Sequence, residues 1–577
     1  MKKFLSFLLI LPACLSALAE PVPVERAKTL SEQFLRRADP SRTPQLQLLQ
    51  ERSGATKSGA ADPEYYFFAD ARGGFVIAGG DDAVPPVLGY SLRGSFTLQD
   101  MPENLRGWLE MWQRIVRGER LKGAAAYSAS APLRSGSSKL LETAQWNQND
   151  PFNLLCIEMG DKRVPTGCTA TATAIVMRYH KWPDKGTGTI PSYSVADGET
   201  GKNYTIPAIE LGEPYDWDKM PPKKYDGTWS DEQKNAVARL MRDVGVMIRS
   251  QYAPDGTGAY VEDVGPALVK YMNYDAGFLT DYKSLYDNDA EWVAKLEDNI
   301  DRVGPIVYGA YTESGGAGHA FVIDGYDEKD FLHINWGWGG NGDGYFVMPA
   351  FNEYTQGHQA LLGMRKDVGG VAPENLQIYS IGLSSQTASF VQGTPFGMKC
   401  SYVGNNSTSV FEGELAFAKY DRYDKLVELV SEAEAVTIDP GMMISVVEDA
   451  CVSKSPIKPG DYVRLLYRSA STPQWTPMRY SHTGYVIGKY PIGDTVFLDE
   501  IVSLEYVSST GILTVSFSEQ ATRELRTAAG TKVTTGVTDA EDTMTIDTRQ
   551  ISPATYILHL QRGSQVRDIQ LVIGLKK

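Results

Sequence analysis

Two residues, Cys168 and His319, have the types and settings that nucleophilic catalysis requires. Cys168 follows the turn sequence Pro-Thr-Gly and opens an alanine- and threonine-rich segment, and His319 lies 151 residues further on, after the four small residues 315–318. A thiol attacks a carbonyl group as its thiolate, and a histidine can stabilise that anion and later protonate a leaving amine. The pair therefore predicts an enzyme with an acyl-thiol intermediate.

The segment that begins at Cys168 is predicted to be a helix that runs to about Lys181, before Pro183 stops it. The thiol would then lie at the positive end of the helix dipole, where a thiolate is favoured. The alternative is a buried cysteine at a helix start without a chemical role. The choice between these two depends on partner residues elsewhere in the chain.

His319 has the best setting of the six histidines, because the small residues before it let the backbone and a substrate approach closely. His180 lies near the end of the Cys168 helix, where interaction with the helix dipole is expected. His333 lies in a predicted strand, where a core or hydrogen-bonding role is expected. The other three have no glycine-flanked setting of the kind that precedes His319: His358, His482 and His559.

A thiol hydrolase also needs hydrogen-bond donors for the oxyanion of its tetrahedral intermediate. Gln148 lies 20 residues before Cys168. Its side-chain amide could share this task with the backbone N–H of Cys168. A glutamine in this setting would by itself be interpreted as a solvated loop residue. Because Cys168 and His319 are also present, Gln148 is a candidate oxyanion donor.

The composition limits the class of protein. The net charge of −15, without a sustained basic run, argues against nucleic acid as a partner. After the N-terminal segment, no stretch reaches the roughly 18 apolar residues that a membrane span needs. Cysteines are too few for a disulfide framework, although Cys400 and Cys451 could pair; two buried thiols are the alternative.

Residues 1–19 are predicted to be a signal peptide, because Lys2 and Lys3 precede an apolar run and small residues end the segment. We therefore expect a secreted or cell-surface protein, with the periplasm as second choice. Lipidation of Cys14, which follows Leu-Pro-Ala, is an alternative outcome.

The rest of the chain divides into regions that differ in composition and in their helix and strand patterns. Residues 20–121 are expected to form a small α+β domain, and residues 122–139, rich in alanine, serine and glycine, an exposed and cleavable linker. Residues 140–368 mix helical and strand patterns, as in a catalytic-type core of the α/β or α+β class. Short alternating runs predict an immunoglobulin-like sandwich over 371–495 and a second small sandwich over 496–577.

Local patterns place the elements of the catalytic-type core. Strands are expected at 306–310, 320–324, 331–336 and 344–347, and a capping box from Ser230 to Gln233 predicts a helix start.

Four segments in the right order resemble the streptopain family of bacterial cysteine peptidases, a branch of the papain-like superfamily that includes interpain-type enzymes. They are QWNQNDPFNLLC, PTGCTATATAIVMRYHKWP, GGAGHAFVIDGYD and FLHINWGWGGNGDGYF. Upstream, YYFFADARGGFVIAGGDDAVPPVLGYSLRGSF resembles the family's propeptide. The resemblance implies an α+β, papain-like catalytic domain, and a secreted zymogen that removes an N-terminal prodomain, often by self-cleavage. It also implies endopeptidase activity with a hydrophobic residue preferred two positions before the cut.

The resemblance implies that Cys168 is the nucleophile, His319 the general acid/base and Gln148 the oxyanion donor. It leaves two adjacent residues, Asn335 and Trp336, as groups that could orient the histidine. Neighbours on a strand point to opposite faces, so both cannot face the imidazole equally. We expect Trp336 to pack beside His319, and Asn335 to hydrogen-bond the surrounding loops.

The cleft is expected to be lined by Gly318, Trp338 and Gly339, with Trp338 and the glycines of 339–344 forming a mobile wall. A plain turn is favoured over a calcium site at Asn341 and Asp343. We therefore expect no metal and no cofactor. Protein or peptide substrates are the expected partners, and the expected state is a monomer.

Zymogen latency requires that the prodomain cover or distort the cleft. The face of its second helix that carries Trp108 and Trp112 is therefore predicted to dock on the catalytic domain. The alternative is that this helix buries the two tryptophans within its own domain.

The segment MTIDTRQISPATYILHLQRGSQVRDIQLVIG resembles the C-terminal sorting domains of the type IX secretion system of Bacteroidota. Here Ala554-Thr555 replaces the usual glycine before the tyrosine. The resemblance implies outer-membrane secretion machinery as a partner.

Two other functional classes are compatible with the same residues. Amidases and transglutaminases use the same cysteine and histidine chemistry, since the sequence does not fix the acyl acceptor. The second rival is a surface-binding protein whose peptidase-like core is inert.

Overall fold

The computed structural model describes residues 20–573 except 56–60, 95, 100, 123–136, 287, 312–317, 349–356, 388, 483–485, 494–500, 508–510, 518–521, 528–531, 540–542, 553 and 563–564. The predicted signal peptide and most of the predicted linker therefore lie outside the described residues. Within the described part, no helix is long and apolar enough to cross a membrane.

The N-terminal unit is a four-stranded antiparallel sheet with one helix on each face. Its elements are α1 (Val24–Ala38), β1 (Leu46–Ala55), β2 (Ala61–Asp70), β3 (Phe75–Gly79), β4 (Val87–Ser91) and α2 (Glu103–Lys122). Alternate residues of strand β2 pack on different helices. Tyr66 and Phe68 share a core with α1, and Tyr65 and Phe67 share one with α2. The period of two in a strand thus lets one thin sheet bury both amphipathic helices.

The sheet of this unit continues into the central unit, which the sequence pattern did not predict. Strand β4 pairs antiparallel with β16 (Gly344–Phe346), with Tyr90 opposite Tyr345 and Gly89 opposite Phe346. Strand β4 is short and buried at every residue, so it carries no alternation that marks it as a strand. The two units therefore share one sheet.

The central unit contains four helices and thirteen strands in its described residues, several of them only two residues long. The helices are α3 (Cys168–His180), α4 (Asp231–Met247), α5 (Val264–Met272) and α6 (Asp289–Arg302). The strands are β5 (Lys139–Leu140), β6 (Glu158–Met159), β7 (Lys162–Arg163), β8 (Thr189–Ile190), β9 (Tyr193–Ala196), β10 (Asn203–Ile206), β11 (Ile209–Glu210), β12 (Leu279–Tyr282), β13 (Ile306–Tyr311), β14 (Gly318–Tyr326), β15 (Leu332–Asn335), β16 and β17 (Gln359–Leu362).

The main sheet runs in the order β1-β2-β3-β4-β16-β15-β14-β13-β17-β12, and β5 also pairs with β14. One face packs on α3, α4 and α5, and receives Ala320 and Val322 from β14. The opposite face packs on α2 and α6, and receives Phe321 and Ile323. We call these the α3 face and the α2 face.

The strands and the capping box expected in this unit are present, with strand ends that differ from the expected ones by at most two residues. The Ser230 side chain accepts a hydrogen bond from the backbone of Gln233, and the Gln233 side chain accepts one from the backbone of Ser230.

A first β-sandwich follows, as predicted. Its strands are β18 (Leu376–Ser384), β19 (Phe396–Asn405), β20 (Phe411–Tyr420), β21 (Leu426–Leu429), β22 (Glu434–Ile438), β23 (Met443–Cys451), β24 (Tyr462–Ser469), β25 (Thr476–Pro477), β26 (Arg479–Tyr480) and β27 (Tyr490–Pro491). They form a four-stranded and a six-stranded sheet around one core. Cys400 and Cys451 are buried in this sandwich as free thiols, so the expected alternative of a disulfide is not formed.

The last unit is a smaller pair of sheets, also as predicted. Its strands are β28 (Ile501–Val507), β29 (Ile512–Phe517), β30 (Thr522–Thr527), β31 (Val537–Asp539), β32 (Thr543–Asp547), β33 (Ala554–Arg562) and β34 (Gln565–Ile573). The segment that resembles a sorting domain thus supplies the hairpin β33–β34.

Candidate active site

Cys168 is the first residue of α3, at the end where backbone N–H groups are unpaired and a negative charge is favoured. The residue before it, Gly167, has φ 89°, and a Cβ atom there would lie 2.7 Å from the carbonyl oxygen of Thr257. Only glycine fits both conditions. The first turn of α3 has no acidic residue, and Cys168 is partly exposed.

The turn before Cys168 is fixed by a neighbouring loop. The Thr257 hydroxyl donates to the carbonyl oxygen of Pro165 at 2.8 Å, and the Thr169 hydroxyl donates to that of Ala259 at 2.8 Å. These bonds flank the thiol on both sides in sequence. They give the nucleophile a rigid backbone setting.

Gln148 lies beside the same turn. Its carbonyl oxygen accepts a hydrogen bond from the backbone N–H of Thr166 at 3.0 Å, and its own N–H donates to the Asn147 side chain at 2.6 Å. The residue is 8% exposed. The solvated-loop alternative for Gln148 is therefore wrong, and the structure brings Gln148 and Cys168 to one turn.

His319 is the second residue of β14 and lies opposite Ala310 of β13. Its side chain meets α2: a Cβ atom added to Gly107 would lie 3.6 Å from Cδ2 and 4.0 Å from Nε2 of His319. Helix α2 thus passes over the imidazole at its glycine. Since α2 packs on the α2 face, the imidazole lies on that side of the sheet, whereas Cys168 begins a helix of the α3 face.

Trp336 follows β15 and is 1% exposed. Its ring centroid lies 5.0 Å from that of Phe321 and 5.1 Å from that of Phe346, both on the α2 face. Its Nε1 donates to the carbonyl oxygen of Gly342 at 3.0 Å. Trp336 and His319 are therefore on the same side of the sheet.

Asn335 lies opposite Val322, a residue of the α3 face. Its amide donates to the Thr143 hydroxyl at 2.9 Å and to the carbonyl oxygen of Ala144 at 3.0 Å, and accepts from the N–H of Gly337 at 3.0 Å. These bonds tie β15 to two loops.

The three residues expected to line the cleft lie in two places. Gly318 opens β14 next to His319. Gly339 has φ 66° and donates its N–H to the carbonyl oxygen of Trp146 at 2.8 Å. Trp338 is partly buried against the α2-face core, so its segment is held by both the central and the N-terminal unit.

Two further histidines of the central unit, His180 and His358, have lowered pKa values. Burial lowers the pKa of His180 to about 4 and that of His358 to about 3. His358 also shares a hydrogen bond of 2.8 Å with the Tyr308 hydroxyl. Both settings are structural.

His333 has the hydrogen-bonding role expected for it. Its Nδ1 lies 2.5 Å from Oδ1 of Asp324, and the other oxygen of Asp324 accepts from the Thr143 hydroxyl. Burial opposes a charge on His333, but Asp324 more than compensates and raises the pKa of the imidazole.

Tryptophans 108 and 112 occupy the α2-face core together with Trp336 and Phe346, and the ring centroids of Trp108 and Phe346 are 5.0 Å apart. The predicted docking of this helix on the central unit is therefore confirmed, and the alternative also holds in part, because Tyr65 and Phe67 of the N-terminal unit belong to the same core. Within the described residues, no group of three or more His, Cys, Asp or Glu side chains could hold a metal ion.

Sequence reasoning missed Gly107 and Thr257. A glycine inside an amphipathic helix weakens that helix and often marks a close approach, so Gly107 carried a usable signal. Thr257 carried none, since it lies in an irregular loop far from Cys168 in sequence.

Two family models match the chain in sequence order. The model described as Spi protease inhibitor matches residues 19–116, which cover most of the N-terminal unit. The model described as Peptidase C10 family matches residues 146–346, which contain every candidate site residue.

The chain is also similar to individual proteins. Streptopain from Streptococcus pyogenes is 32% identical over 310 residues, which cover 51% of this chain and 75% of streptopain. Thiol protease/hemagglutinin PrtT from Porphyromonas gingivalis is 27% identical over 518 residues, 84% of this chain but only 58% of PrtT, so the chain spans little more than half of that relative. A solved fragment of prointerpain A from Prevotella intermedia is 28% identical and covers 56% of this chain and 99% of the fragment, with a TM-score of 0.47.

Proposed function

We propose that this chain, which belongs to the Peptidase C10 (streptopain) family and is a cysteine peptidase with a propeptide, is secreted as a latent zymogen and acts as an endopeptidase. One observation carries the proposal: a partly exposed cysteine opens a helix that packs on the strand of His319, while a helix of the N-terminal unit covers that histidine.

In the proposed mechanism, the Cys168 thiolate attacks the carbonyl carbon of the scissile peptide bond. His319 then protonates the leaving amine, and a water molecule deprotonated by His319 hydrolyses the acyl-enzyme. The helix position of Cys168, with no acidic residue in the first turn, supports the thiolate.

The oxyanion of both tetrahedral intermediates would be bound by the Gln148 side-chain amide and the backbone N–H of Cys168. The hydrogen bond between the Thr166 N–H and the Gln148 carbonyl supports this assignment, because it fixes Gln148 next to the turn of the nucleophile.

Trp336 is proposed to pack beside His319 and orient its imidazole, since both side chains lie on the α2 face. Asn335 is proposed to hold the loops at the ends of β15, because its three hydrogen bonds all go to loop residues. Gly318, Trp338 and Gly339 are proposed to line the substrate cleft. A preference for a hydrophobic residue two positions before the cut is proposed from family membership.

Latency is proposed to arise from α2. This helix holds the imidazole of His319 on the α2 face, away from the helix that Cys168 begins. Cleavage between the units, in the region proposed as the linker (122–139), would let α2 leave and allow His319 to turn toward the thiol. A chain that begins near residue 140 should then be more active than the full chain.

The test combines labelling and product analysis. An epoxide-type thiol inhibitor should label the processed chain at Cys168, and Cys168→Ala should abolish both the labelling and the release of peptides from casein. Cross-linked casein without free peptides would favour a transglutaminase instead. Casein degradation that persists in Cys168→Ala would refute the assignment of the nucleophile.

Self-processing is tested separately. Purified proenzyme under reducing conditions should lose its N-terminal unit over time, as followed by mass spectrometry, and the Cys168→Ala proenzyme should stay intact. Equal processing of both would remove self-activation from the proposal.

Export to the outside of the cell is proposed from two parts of the sequence, the N-terminal apolar segment and the sorting-like segment that forms β33 and β34. The proposed partners are protein substrates and an outer-membrane secretion machinery, and the proposed state is a monomer. Deleting residues 496–577 should leave the enzyme inside the outer membrane; unchanged export would refute the role of this unit.

A further inference from the structure

The segment after Trp336, residues 337–344, is called the glycine strap here, and its last residues lie against the N-terminal unit. A Cβ atom on Gly342 would lie 2.9 Å from Cδ2 of Leu105, and one on Gly344 would lie 2.5 Å from the carbonyl oxygen of Tyr90. These two glycines flank Asp343. The backbone on either side of Asp343 is therefore covered by the N-terminal unit.

Asp343 faces a buried polar cluster on its inner side. Its Oδ1 accepts the backbone N–H of Trp336 at 3.0 Å. The neighbouring charges are His333 and its partner Asp324, which is 2% exposed. The half-buried Asp343 side chain thus lies near a buried ion pair, and the glycines on either side of it lie against the N-terminal unit.

The environment of Asp343 disfavours its ionised form. Burial, with a smaller contribution from Asp324, raises the pKa of its carboxyl group to about 7, against the opposing effects of the Trp336 N–H and of His333. The part of this burial that the N-terminal unit supplies is lost when that unit leaves.

We propose that Asp343 is a proton-linked latch: it is protonated while the N-terminal unit covers the glycine strap, and it ionises when that unit departs. The N-terminal unit is then held more tightly in acid than in mildly alkaline solution. This inference deepens the proposed zymogen function, since it adds a trigger to the release of α2.

Proton linkage gives the direction of this pH dependence. A carboxyl group whose pKa is higher in the covered state favours that state at low pH, and this stabilisation is lost as the pH rises through about 7. His333 acts in the opposite direction, because burial and the charge of Arg93 lower its pKa in the covered state and both effects weaken when the N-terminal unit leaves.

Other titratable or charged groups face the cluster from the elements packed on it. From the N-terminal unit these are Arg93 and Tyr90, whose ring lies 5.2 Å from that of Tyr345. Tyr345 in turn lies 4.8 Å from the His333 ring. Asp327 accepts a hydrogen bond of 2.7 Å from the Tyr90 hydroxyl, and burial raises its pKa as well. Asp327 is therefore the matched comparison for Asp343.

The experiment uses the full chain with Cys168→Ala, so that it does not depend on activity, and with a site-specific protease sequence placed within 123–136. After the cut, dissociation of the N-terminal unit is followed by size-exclusion chromatography across a concentration series at pH 5.5, 7 and 8. We expect its dissociation constant to rise by about tenfold or more between pH 5.5 and pH 8.

Asp343→Asn keeps a hydrogen-bond acceptor for the Trp336 N–H but cannot titrate. This variant should bind the N-terminal unit tightly at all three pH values, whereas Asp327→Asn should keep most of the pH dependence. An unchanged pH dependence in Asp343→Asn, or its loss in Asp327→Asn alone, overturns the proposal. If Asp343→Asn fails to fold, the parent chain still decides, because a dissociation constant that does not rise with pH also overturns it.

Discussion

At the scale of single residues, the site depends on a few backbone hydrogen bonds around Cys168. Gly167 allows the tight turn, and Thr166 connects that turn to Gln148. The role proposed for Gln148 therefore depends on its position, which is set by the hydrogen bond between its loop and the loop that precedes Cys168.

Replacing Gln148 by alanine should lower kcat of the processed enzyme by about 10²–10³-fold with a small change in KM, because an oxyanion donor acts in the transition state. Steady-state kinetics on a peptide substrate measures this. Labelling of Cys168 by a thiol inhibitor should persist, and the exposed Gln251→Ala should behave as the parent. A change in KM alone would contradict the role in oxyanion binding.

A second residue-scale prediction concerns His180. Burial lowers its pKa to about 4, so the unfolded chain takes up a proton below pH 6.5 that the folded chain does not. Stability is then lost as the pH falls from about 6.5 to 4, by up to about 3 kcal/mol from this group. The melting temperature of His180→Phe should fall less between pH 7 and pH 4.5 than that of the parent. An equal fall in both would refute this contribution.

At the scale of elements, α2 is the part of the propeptide that passes over His319, the proposed general acid/base. Its glycine lies over His319, and its tryptophans occupy the core that also contains Trp336. A single helix thus covers the imidazole and completes the packing of one sheet face.

Gly107→Ala should slow self-processing several-fold. Alanine favours the helix by about 0.8–1 kcal/mol, and its Cβ would meet His319 at 3.6 Å, an ordinary van der Waals distance. The rate of loss of the proenzyme band measures the effect. The processed enzyme lacks this residue, so its kcat/KM serves as the control and should not change. Faster processing would show that the contact is repulsive.

Trp108→Ala should have the opposite effect. Removing a buried tryptophan costs about 3–5 kcal/mol, and here the loss falls on the contact between α2 and Phe346. The proenzyme should be processed faster and react with a thiol inhibitor before cleavage. Unchanged inhibitor reactivity of the uncut chain would mean that α2 does not control access to the site.

At the scale of the whole molecule, the first sandwich is docked on the catalytic domain. Arg479 donates to Asp281 at 2.6 Å, and Asp281 also accepts from the Tyr286 hydroxyl at 2.6 Å. The backbone N–H of His482 donates to the carbonyl oxygen of Ser284 at 2.7 Å. Asp281 is 1% exposed, so its charge is compensated from the other domain.

Arg479→Ala should undock the sandwich, because it leaves the buried Asp281 without its cationic partner, at a cost of about 3–5 kcal/mol. Faster proteolysis at 366–375 and a larger radius of gyration in small-angle scattering would show this. Arg468→Ala removes a surface ion pair with Glu414, worth under about 1 kcal/mol, and should leave both readouts unchanged. Equal behaviour of the two variants would refute a specific role for Arg479.

The local features of this protein could be predicted from its amino-acid sequence. Strand and helix periodicity, the capping box at Ser230 and the small residues beside Cys168 and His319 each act within a few neighbouring residues, so the elements and the candidate nucleophile, base and oxyanion donor could be predicted. The tertiary structure alone decided how those parts meet. The pairing of β4 with β16, the passage of Gly107 over His319 and the placement of Asp343 under Leu105 and Tyr90 join residues far apart in the chain. Such contacts depend on which buried surfaces fit one another, and no local pattern encodes that.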